Sequence, residues 1–413
     1  MNKDTLYYTF LSIISALAIW LWLAPVGTIK APIAHKTQEI ISSQNIQPKR
    51  LFLFCWRTIK NRYVDSKMNG QDWEYWKNHY LPYIKTDEDV FVAVNSMLQS
   101  LDDPYSRFMD SPQNEEQNTN LESSITGIGV NIGLVSGKVV ISNVMENSPA
   151  KKANLQEGDI ITEINGKKIN GLTMEEVVKL IRGPENSNVK LTILRDKTKI
   201  VKDTNRKTIK IKNVKSKILK GNIGYIQIVS FMGMQGSEEF KEALKTTQNT
   251  NGLIIDLRGD AGGLLTNAVD IANMFINKGT IVSVVYRSGL RKKITASHSA
   301  FFKEKPIVIL TNMGTASASE ILAGTLRDNK EAILVGDRTY GKNSIQQIFA
   351  LPNQTGMNLT IAKYLMPKGE YIHKIGLKPD YTVVLTKQDY IENNDTQLKK
   401  AIDIINNKMK HSK

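Results

Sequence analysis

The stretch from Gly314 to Gln346 constrains the fold of this chain most, because it reads as a helix start, a buried strand and a tight turn in succession. It opens with GTASASE, which combines small residues with three hydroxyl side chains, and an apolar-periodic run follows. A Ser or Thr at the helix N-terminus with an acidic residue in the first turn is typical of such a start. An apolar strand then covers residues 332 to 335, and a turn from Gly336 to Gly341 ends at Lys342.

This stretch places a hydroxyl and an amine where they can react together. Backbone N–H groups at a helix N-terminus stabilise an alkoxide or oxyanion. Serine is a weak nucleophile and needs a base, which the amine of Lys342 can supply only when it is neutral. At an ordinary pKa of about 10.4 the neutral form costs about 4.6 kcal/mol at pH 7, so burial must lower this pKa. The apolar flanks of Lys342 favour burial, and uncharged Gln346 can hold the amine without raising its pKa.

Two other interpretations of the stretch stay open at this point. One is a capped helix followed by a turn with a surface lysine. The other is a nucleotide-binding P-loop, because GDRTYGK matches G-x-x-x-x-G-K. Asn343 stands where that motif needs a Ser or Thr for Mg²⁺, and the following residues, 345 to 351, predict a strand where a P-loop needs a helix.

A second segment has the pattern of an anion-binding turn. LIIDL, residues 253 to 257, is a continuous apolar run typical of a buried strand. RGDAGG, from Arg258 to Gly263, follows it, and an amphipathic helix is predicted from residue 264 to residue 276. A strand that runs into a Gly–Gly pair at a helix start presents backbone N–H groups to an anion.

GTASASE, the GK-x-x-x-Q pattern and DLRGDAGG together resemble the carboxyl-terminal processing peptidases. These are serine peptidases with a Ser–Lys dyad and an inserted PDZ domain, and they need no cofactor. The resemblance implies that Ser317 is the nucleophile, that Lys342 is the general base and that Gln346 orients the lysine. It also implies an oxyanion hole made by the N–H groups of Gly263 and Ala318.

The chain departs from the family pattern at three positions. Asn343 stands where the family usually has Gly, and Asn tolerates a left-handed φ nearly as well. Asp260 and Ala261 stand where the family often has Asn and Pro or Gly. Neither of the last two side chains needs to touch the oxyanion, so the resemblance keeps the same site residues.

Residues 35–123 predict a helical N-terminal domain, whose first part, residues 35 to 49, is a polar linker. Apolar stripes at helical spacing run along residues 52 to 63 and along residues 87 to 101. NRYVDSKMNGQDW and LDDPYSRFMD resemble the oxygenic-phototroph branch of the family, whose members process the photosystem II reaction-centre precursor. Residues 113 to 121, rich in Asn, Gln and Glu, read as an exposed connection.

Residues 124–203 resemble a PDZ domain. TGIGVNIGL gives a Gly-rich loop before a strand, and Asn165–Gly166 reads as a hairpin turn. PDZ domains bind a peptide C-terminus by strand addition, with loop N–H groups on the carboxylate. By resemblance that loop comprises Gly127, Ile128, Gly129 and Val130. A PDZ fold that only positions neighbouring parts is the alternative.

Residues 6 to 24 form an apolar run without charge, so residues 1–34 predict a signal peptide or membrane anchor. Either one directs the chain across a membrane. With the phototroph resemblance the expected location is the thylakoid lumen, and the alternative is a bacterial periplasm or cell envelope. Membrane association through residues 6 to 24 follows only if the segment is retained.

Composition favours no further partner. The net charge is +15, but the basic residues are scattered and no nucleic-acid-binding motif accompanies them, so no nucleic acid is expected. The single cysteine, Cys55, excludes an intrachain disulfide, and its apolar neighbours predict a packed thiol. The five histidines show no paired-ligand spacing, so no metal site is expected.

The expected architecture is a mixed α/β, multidomain protein whose core, residues 204–413, alternates strands and helices. The expected function is a serine endopeptidase that cleaves near the C-terminus of precursor proteins and recognises the substrate C-terminus through its PDZ domain. A non-catalytic PDZ adaptor that binds C-termini is the alternative. Whether the PDZ domain gates the site or only tethers the substrate stays open.

Overall fold

The computed structural model describes residues 43–410, except residues 122, 123, 298, 299, 301, 303 and 304. The predicted export segment, residues 6 to 24, lies outside the described residues. Within the described part of the chain, no helix is both long enough and apolar enough to cross a membrane.

The N-terminal region is helical, as its apolar stripes predict. Its helices are α1 (Pro48–Arg62), α2 (Trp73–Tyr80) and α3 (Asp87–Gln99). The buried faces of α1 and α3 share one apolar cluster with Leu351, Met357 and Leu359, which lie some 250 residues later in the chain. The helical region is therefore packed on the C-terminal part of the protein and shares its core.

One sequence expectation in this region is wrong. Residues 113 to 121, predicted as an exposed connection, belong to helix α4 (Ser111–Leu121), which follows the short strand β1 (Arg107–Met109). Asn114 and Gln117 are buried, and their amides donate to the carbonyl oxygen of Gln354 (2.9 Å) and to Oδ1 of Asn358 (3.0 Å). A polar composition reads as a loop, but these side chains find hydrogen-bond partners only in the folded chain.

The middle of the chain forms a six-stranded sheet, in which five strands follow the order β3-β4-β5-β7-β8 and β6 pairs with β5. Its elements are β3 (Val130–Val135), β4 (Lys138–Val144), α5 (Pro149–Lys152), β5 (Ile160–Ile164), β6 (Lys167–Lys168), α6 (Met174–Ile181), β7 (Asn188–Arg195) and β8 (Thr198–Asn205). Asn165 and Gly166 both have positive φ, 51° and 79°, as the predicted hairpin turn requires. A two-stranded ribbon of β2 (Ser124–Gly127) and β9 (Lys207–Lys210) links this unit to the rest.

A six-stranded sheet carries the C-terminal half, in the order β10-β11-β12-β15-β16-β19. Strand β10 is antiparallel to β11, and the other pairs are parallel. The strands are β10 (Val214–Leu219), β11 (Ile223–Ile228), β12 (Leu253–Asp256), β15 (Ile307–Thr311), β16 (Ala332–Gly336) and β19 (Tyr381–Thr382). As predicted from LIIDL, β12 is buried along its whole length.

Helices cover both faces of this sheet. One face is covered by α7 (Gly236–Thr247), α8 (Leu265–Ala272) and α9 (Ala318–Asp328). The other face is covered by α11 (Thr396–Lys410), which follows the short α10 (Lys387–Ile391). Leu253 and Ile255 belong to the cluster that includes α7, α8 and α9, whereas Ile254 belongs to the cluster that includes α11. Alternate residues of one strand thus face opposite layers, which is why the strand reads as a continuous apolar run.

A second, antiparallel sheet packs against the same core. It contains β1, β13 (Thr280–Tyr286), β14 (Arg291–Thr295), β17 (Ser344–Ala350) and β18 (Gly356–Leu365). Strand β18 is its centre, because β1, β13 and β17 all pair with it. The pairing of β1 with β18 brings the turn before β1 from the helical region to the C-terminal part.

The three central parallel strands direct their carboxyl ends to one edge of the six-stranded sheet. Loops 257–264, 312–317 and 337–343 follow β12, β15 and β16 at that edge. Such an edge is where open α/β sheets place their ligand-binding loops. All of the peptidase-site residues predicted from the sequence lie in or directly after these loops.

Candidate active site

Ser317 lies at the junction between β15 and α9, directly before the first residue of the helix, as predicted. Its φ is 58° and its ψ is −116°, a conformation that costs a non-glycine residue about 1 to 3 kcal/mol and is found mainly at functional sites. Two bonds hold the junction on the loop after β12: Ala316 N–H donates to the carbonyl oxygen of Asp260 (3.0 Å), and Thr315 Oγ1 donates to that of Leu257 (2.8 Å). Ser317 itself remains partly exposed.

The buried carboxylate of Glu320 connects the serine junction to the lysine turn. Its Oε2 accepts the N–H groups of Ser317 (2.8 Å) and Lys342 (3.0 Å), and its Oε1 accepts the N–H of Gly341 (2.7 Å) and the hydroxyl of Thr339 (2.5 Å). Burial raises the pKa of Glu320, and these bonds oppose the rise. The sequence analysis recognised this residue only as an acid in the first helical turn.

Lys342 follows the glycine turn and is partly buried. Desolvation by burial lowers the pKa of its amine, as the predicted role requires, whereas the charges of Asp103 and Glu320 oppose that lowering. Its Nζ lies over the ring of Tyr105, 4.3 Å from the ring centroid. Among the described residues, it makes no hydrogen bond to the hydroxyl of Ser317.

Tyr364, on β18, forms hydrogen bonds to the same two segments as Glu320. It is 1% exposed, and its hydroxyl donates to the carbonyl oxygens of Ser317 (3.3 Å) and Lys342. Burial raises the pKa of Tyr364 well above its ordinary value, so the phenol remains a donor. Glu320 thus accepts the N–H groups of both residues of the predicted dyad, and Tyr364 donates to their carbonyl groups.

Gln346 has hydrogen-bond partners other than the lysine. Its Nε2 donates to the hydroxyls of Ser344 (2.9 Å) and Thr360 (3.0 Å), and no bond to Lys342 is among those of the described residues. Its role in orienting the lysine stays a prediction.

The turn itself corrects one expectation and disfavours the nucleotide-binding interpretation. Gly341 has a φ of 87°, whereas Asn343 does not have a positive φ, so the tolerance of Asn for the left-handed region is not needed there. The chain then enters strand β17 at Ser344, where a P-loop requires a helix.

The glycine pair after β12 lies against the serine junction. A Cβ on Gly262 would stand 2.8 Å from the backbone nitrogen of Ala318, and a Cβ on Gly263, whose φ is 152°, would stand 2.2 Å from the backbone nitrogen of Met232. Only glycine therefore fits at either position. Among the described residues, the N–H groups of Gly263 and Ala318 have no acceptor. Their role as an oxyanion hole stays a prediction.

Asp260 is the buried acid of this glycine turn. It is 1% exposed; its Oδ1 accepts the N–H of Gly262 (2.8 Å), and its Oδ2 has no partner. Burial raises the pKa of Asp260 to about 7, and the bond from Gly262 opposes the rise, whereas Ser319 Oγ donates to the backbone carbonyl oxygen of Asp260 (3.1 Å). The sequence analysis noted this position only as a departure from the family pattern.

The same turn is anchored at its other end by a charge cluster that the sequence analysis did not identify. The guanidinium of Arg258 donates to both oxygens of Asp256 (Nη2–Oδ2 2.6 Å) and to both oxygens of Asp395 (2.8 and 2.9 Å). Tyr225 donates to Asp256 as well (2.6 Å). Since Asp395 directly precedes α11, the cluster fixes the turn to the helix layer behind the sheet.

The predicted carboxylate-binding loop, Gly127 to Val130, is folded against helix α5. Ile128 is buried, and its carbonyl oxygen accepts the N–H of Ala150 (2.8 Å). Gly129 has a φ of 81°, and a Cβ there would stand 2.3 Å from that of Ser148. The loop leads into β3, an edge strand with one unpaired side, which suits strand addition. Carboxylate binding by this loop stays a prediction.

The comparisons with known proteins match all three regions of the chain. Residues 222–383 match peptidase family S41, residues 140–195 match the PDZ domain, and residues 48–91 match the tricorn protease C1 domain.

Full-length relatives extend these matches. The carboxyl-terminal-processing protease of Synechocystis sp. is 34% identical, over 87% of this chain and 87% of that protein. The chloroplastic carboxyl-terminal-processing peptidase 2 of Arabidopsis thaliana is 34% identical, over 80% of this chain and 68% of that protein. The solved structure of a photosystem II D1 C-terminal processing protease is 28% identical, with a TM-score of 0.55, over 82% of this chain and 94% of the other.

Identity of this extent, over most of both chains, leaves one conclusion about ancestry and general chemistry: the protein belongs to the carboxyl-terminal-processing serine peptidases of family S41, with a PDZ domain.

Proposed function

We propose that the protein is a Ser–Lys endopeptidase that removes C-terminal extensions from precursor proteins. The observation that carries the proposal is the shared clamp on Ser317 and Lys342. Glu320 accepts the N–H of both residues, and the serine has the backbone conformation of a constrained functional residue. A clamp of this kind fixes the relative positions of a nucleophile and a base that are far apart in sequence.

In the proposed reaction, Ser317 Oγ attacks the scissile carbonyl while Lys342 takes the hydroxyl proton. The N–H groups of Gly263 and Ala318 stabilise the oxyanion, at about 3 to 4 kcal/mol for each donor. The lysine then gives its proton to the leaving amine, and an acyl-enzyme remains. Water attacks this ester with Lys342 again acting as base, which frees the shortened product and the serine.

The reaction requires a change in the lysine side chain. Its Nζ lies over the ring of Tyr105 and makes no hydrogen bond to Ser317 among the described residues, so the proposed proton transfer requires the amine to turn to the serine hydroxyl. Gln346, close to the same turn, would hold the amine in that second position.

The proposed substrate is the precursor of the photosystem II reaction-centre protein D1. A solved relative carries this activity in its name, and relatives from plastids and cyanobacteria are among the similar proteins. The export segment predicted at residues 6 to 24 agrees with a location in the thylakoid lumen. The PDZ domain would bind the free C-terminus, with the extended peptide added to the open edge of β3.

The test is incubation of the full chain with the D1 precursor and with a second exported protein of unrelated C-terminus. Mass spectrometry of the new C-termini identifies the cleaved bond, and the Ser317→Ala variant is the matched control. We expect a single cut near the precursor C-terminus that the variant does not make. Binding of the precursor without any cut by the unmodified chain would instead support the adaptor alternative.

A further inference from the structure

The turn between α3 and β1 reaches from the helical region into the candidate active site. It contains Asp103, Tyr105 and Ser106. Ser106 Oγ accepts the backbone N–H of Thr360 on β18 (3.0 Å) and donates to Asp103 Oδ2 (2.7 Å), while Asp103 Oδ1 accepts the N–H of Tyr105 (3.1 Å). The position of the tyrosine is therefore fixed by the same strand that carries Tyr364.

Tyr105 contacts the lysine turn twice. Its ring centroid is 4.3 Å from Nζ of Lys342, inside the range of about 6 Å over which a cation and an aromatic face attract each other. Its hydroxyl hydrogen-bonds that of Tyr340, two residues before the lysine (3.3 Å). Burial raises the pKa of Tyr105, so its ring stays neutral.

The other groups near Lys342 are two carboxylates and one phenol. Asp103 and Glu320 both favour its charged form, but neither makes a salt bridge with it among the described residues. The Glu320 carboxylate is occupied by four other donors, and the Tyr364 hydroxyl donates to the backbone. The Tyr105 ring is thus the group in direct contact with the lysine cation in this structure.

We propose that Tyr105 is a positioning residue for the lysine base. Its face binds the charged lysine in the position seen here and so sets how readily the neutral amine is released to take the proton of Ser317. This inference rests on the proposed dyad. The helical region thereby contributes directly to the chemistry of the C-terminal region.

The first test compares the pH dependence of kcat/KM for three variants. Tyr105→Leu removes the ring, and we expect the acid limb of the profile to move to lower pH by about 0.4 to 1.5 units, because the charged lysine loses a stabilising contact. Tyr105→Phe keeps the ring and loses the hydroxyl, and Tyr340→Phe removes the other half of the hydroxyl pair. We expect the acid limb of both to stay in place.

The second test needs no turnover. In Ser317→Ala protein with ¹³C at the lysine Cε, the titration of Lys342 is followed by NMR and assigned by its absence in a Lys342→Arg version. We expect Tyr105→Leu to lower the pKa of Lys342 here as well. Rehydration of the site by the smaller side chain would raise it instead.

An unchanged or raised pKa in Tyr105→Leu, or an equal shift in Tyr105→Phe, overturns the proposal. A failure of the proposed dyad gives a different result: Lys342→Arg protein that retains Ser317 would then cleave substrate, while the NMR titration would still report on Tyr105.

Discussion

Replacing Asp260 by Asn tests the electrostatics of the glycine turn. The carboxyl is buried, has one bond from Gly262 N–H and leaves Oδ2 without a partner, so its ionised form is poorly solvated. Burial raises its pKa from 3.8 to about 7. A rise of about three pH units corresponds to about 4 kcal/mol in the free energy of unfolding.

The direction of this pH dependence follows from which protonation state of Asp260 the folded protein favours. The folded protein binds the Asp260 proton more tightly than the unfolded chain. The contribution of this group to the free energy of unfolding is therefore complete below about pH 4 and is lost as the pH rises to about 7. Asn keeps the acceptor for Gly262 and cannot ionise. Asp260→Asn is therefore expected to match the wild type near pH 4 and to be more stable by up to about 4 kcal/mol near pH 8.

The assay is urea unfolding between pH 4 and pH 8 in the Ser317→Ala background, where autolysis cannot occur. Asp403→Asn, at an exposed position of α11, is the matched control and is expected to follow the wild type at every pH. Stability curves for Asp260→Asn that run parallel to those of the wild type would refute the reasoning, as would a loss of stability at pH 8.

The remaining predictions concern the dyad, its clamp and the PDZ domain. Lys342→Ala and Lys342→Arg are both expected to abolish peptide cleavage with an unchanged circular dichroism spectrum, since guanidinium stays charged; turnover by the arginine variant would disprove the base assignment. Glu320→Gln, which places an amide N–H against a buried donor, is expected to lower stability by about 1 to 3 kcal/mol in urea unfolding, with Glu115→Gln at an exposed position of α4 as the neutral control. C-terminal amidation of a substrate peptide is expected to weaken its binding to the Ser317→Ala chain by about 1.5 to 3 kcal/mol in calorimetry, and equal affinities would exclude carboxylate recognition.

Much of the local structure could be predicted from the sequence, because it depends on patterns within a few residues. The apolar run of β12, the glycine turn before Lys342 and the helix beginning after Ser317 all lie where the sequence places them. Helix α4 is the counterexample, since its composition reads as an exposed connection, whereas Asn114 and Gln117 are buried against the hairpin of β17 and β18.

For the candidate site, too, some features could be predicted from the sequence and others are visible only in the folded chain. The sequence by itself predicted which residues belong to it, because Ser317, Lys342 and the glycine pair stand in short motifs that resemble those of the family. Only the tertiary structure decided how they are held: Glu320 binds both segments, Asp260 is closed off from water, and Tyr105 arrives from a region more than 200 residues away. The physical reason is that burial and long-range contact are properties of packed layers. The pKa of a carboxyl or an amine depends on those layers, and no spacing within the chain specifies them.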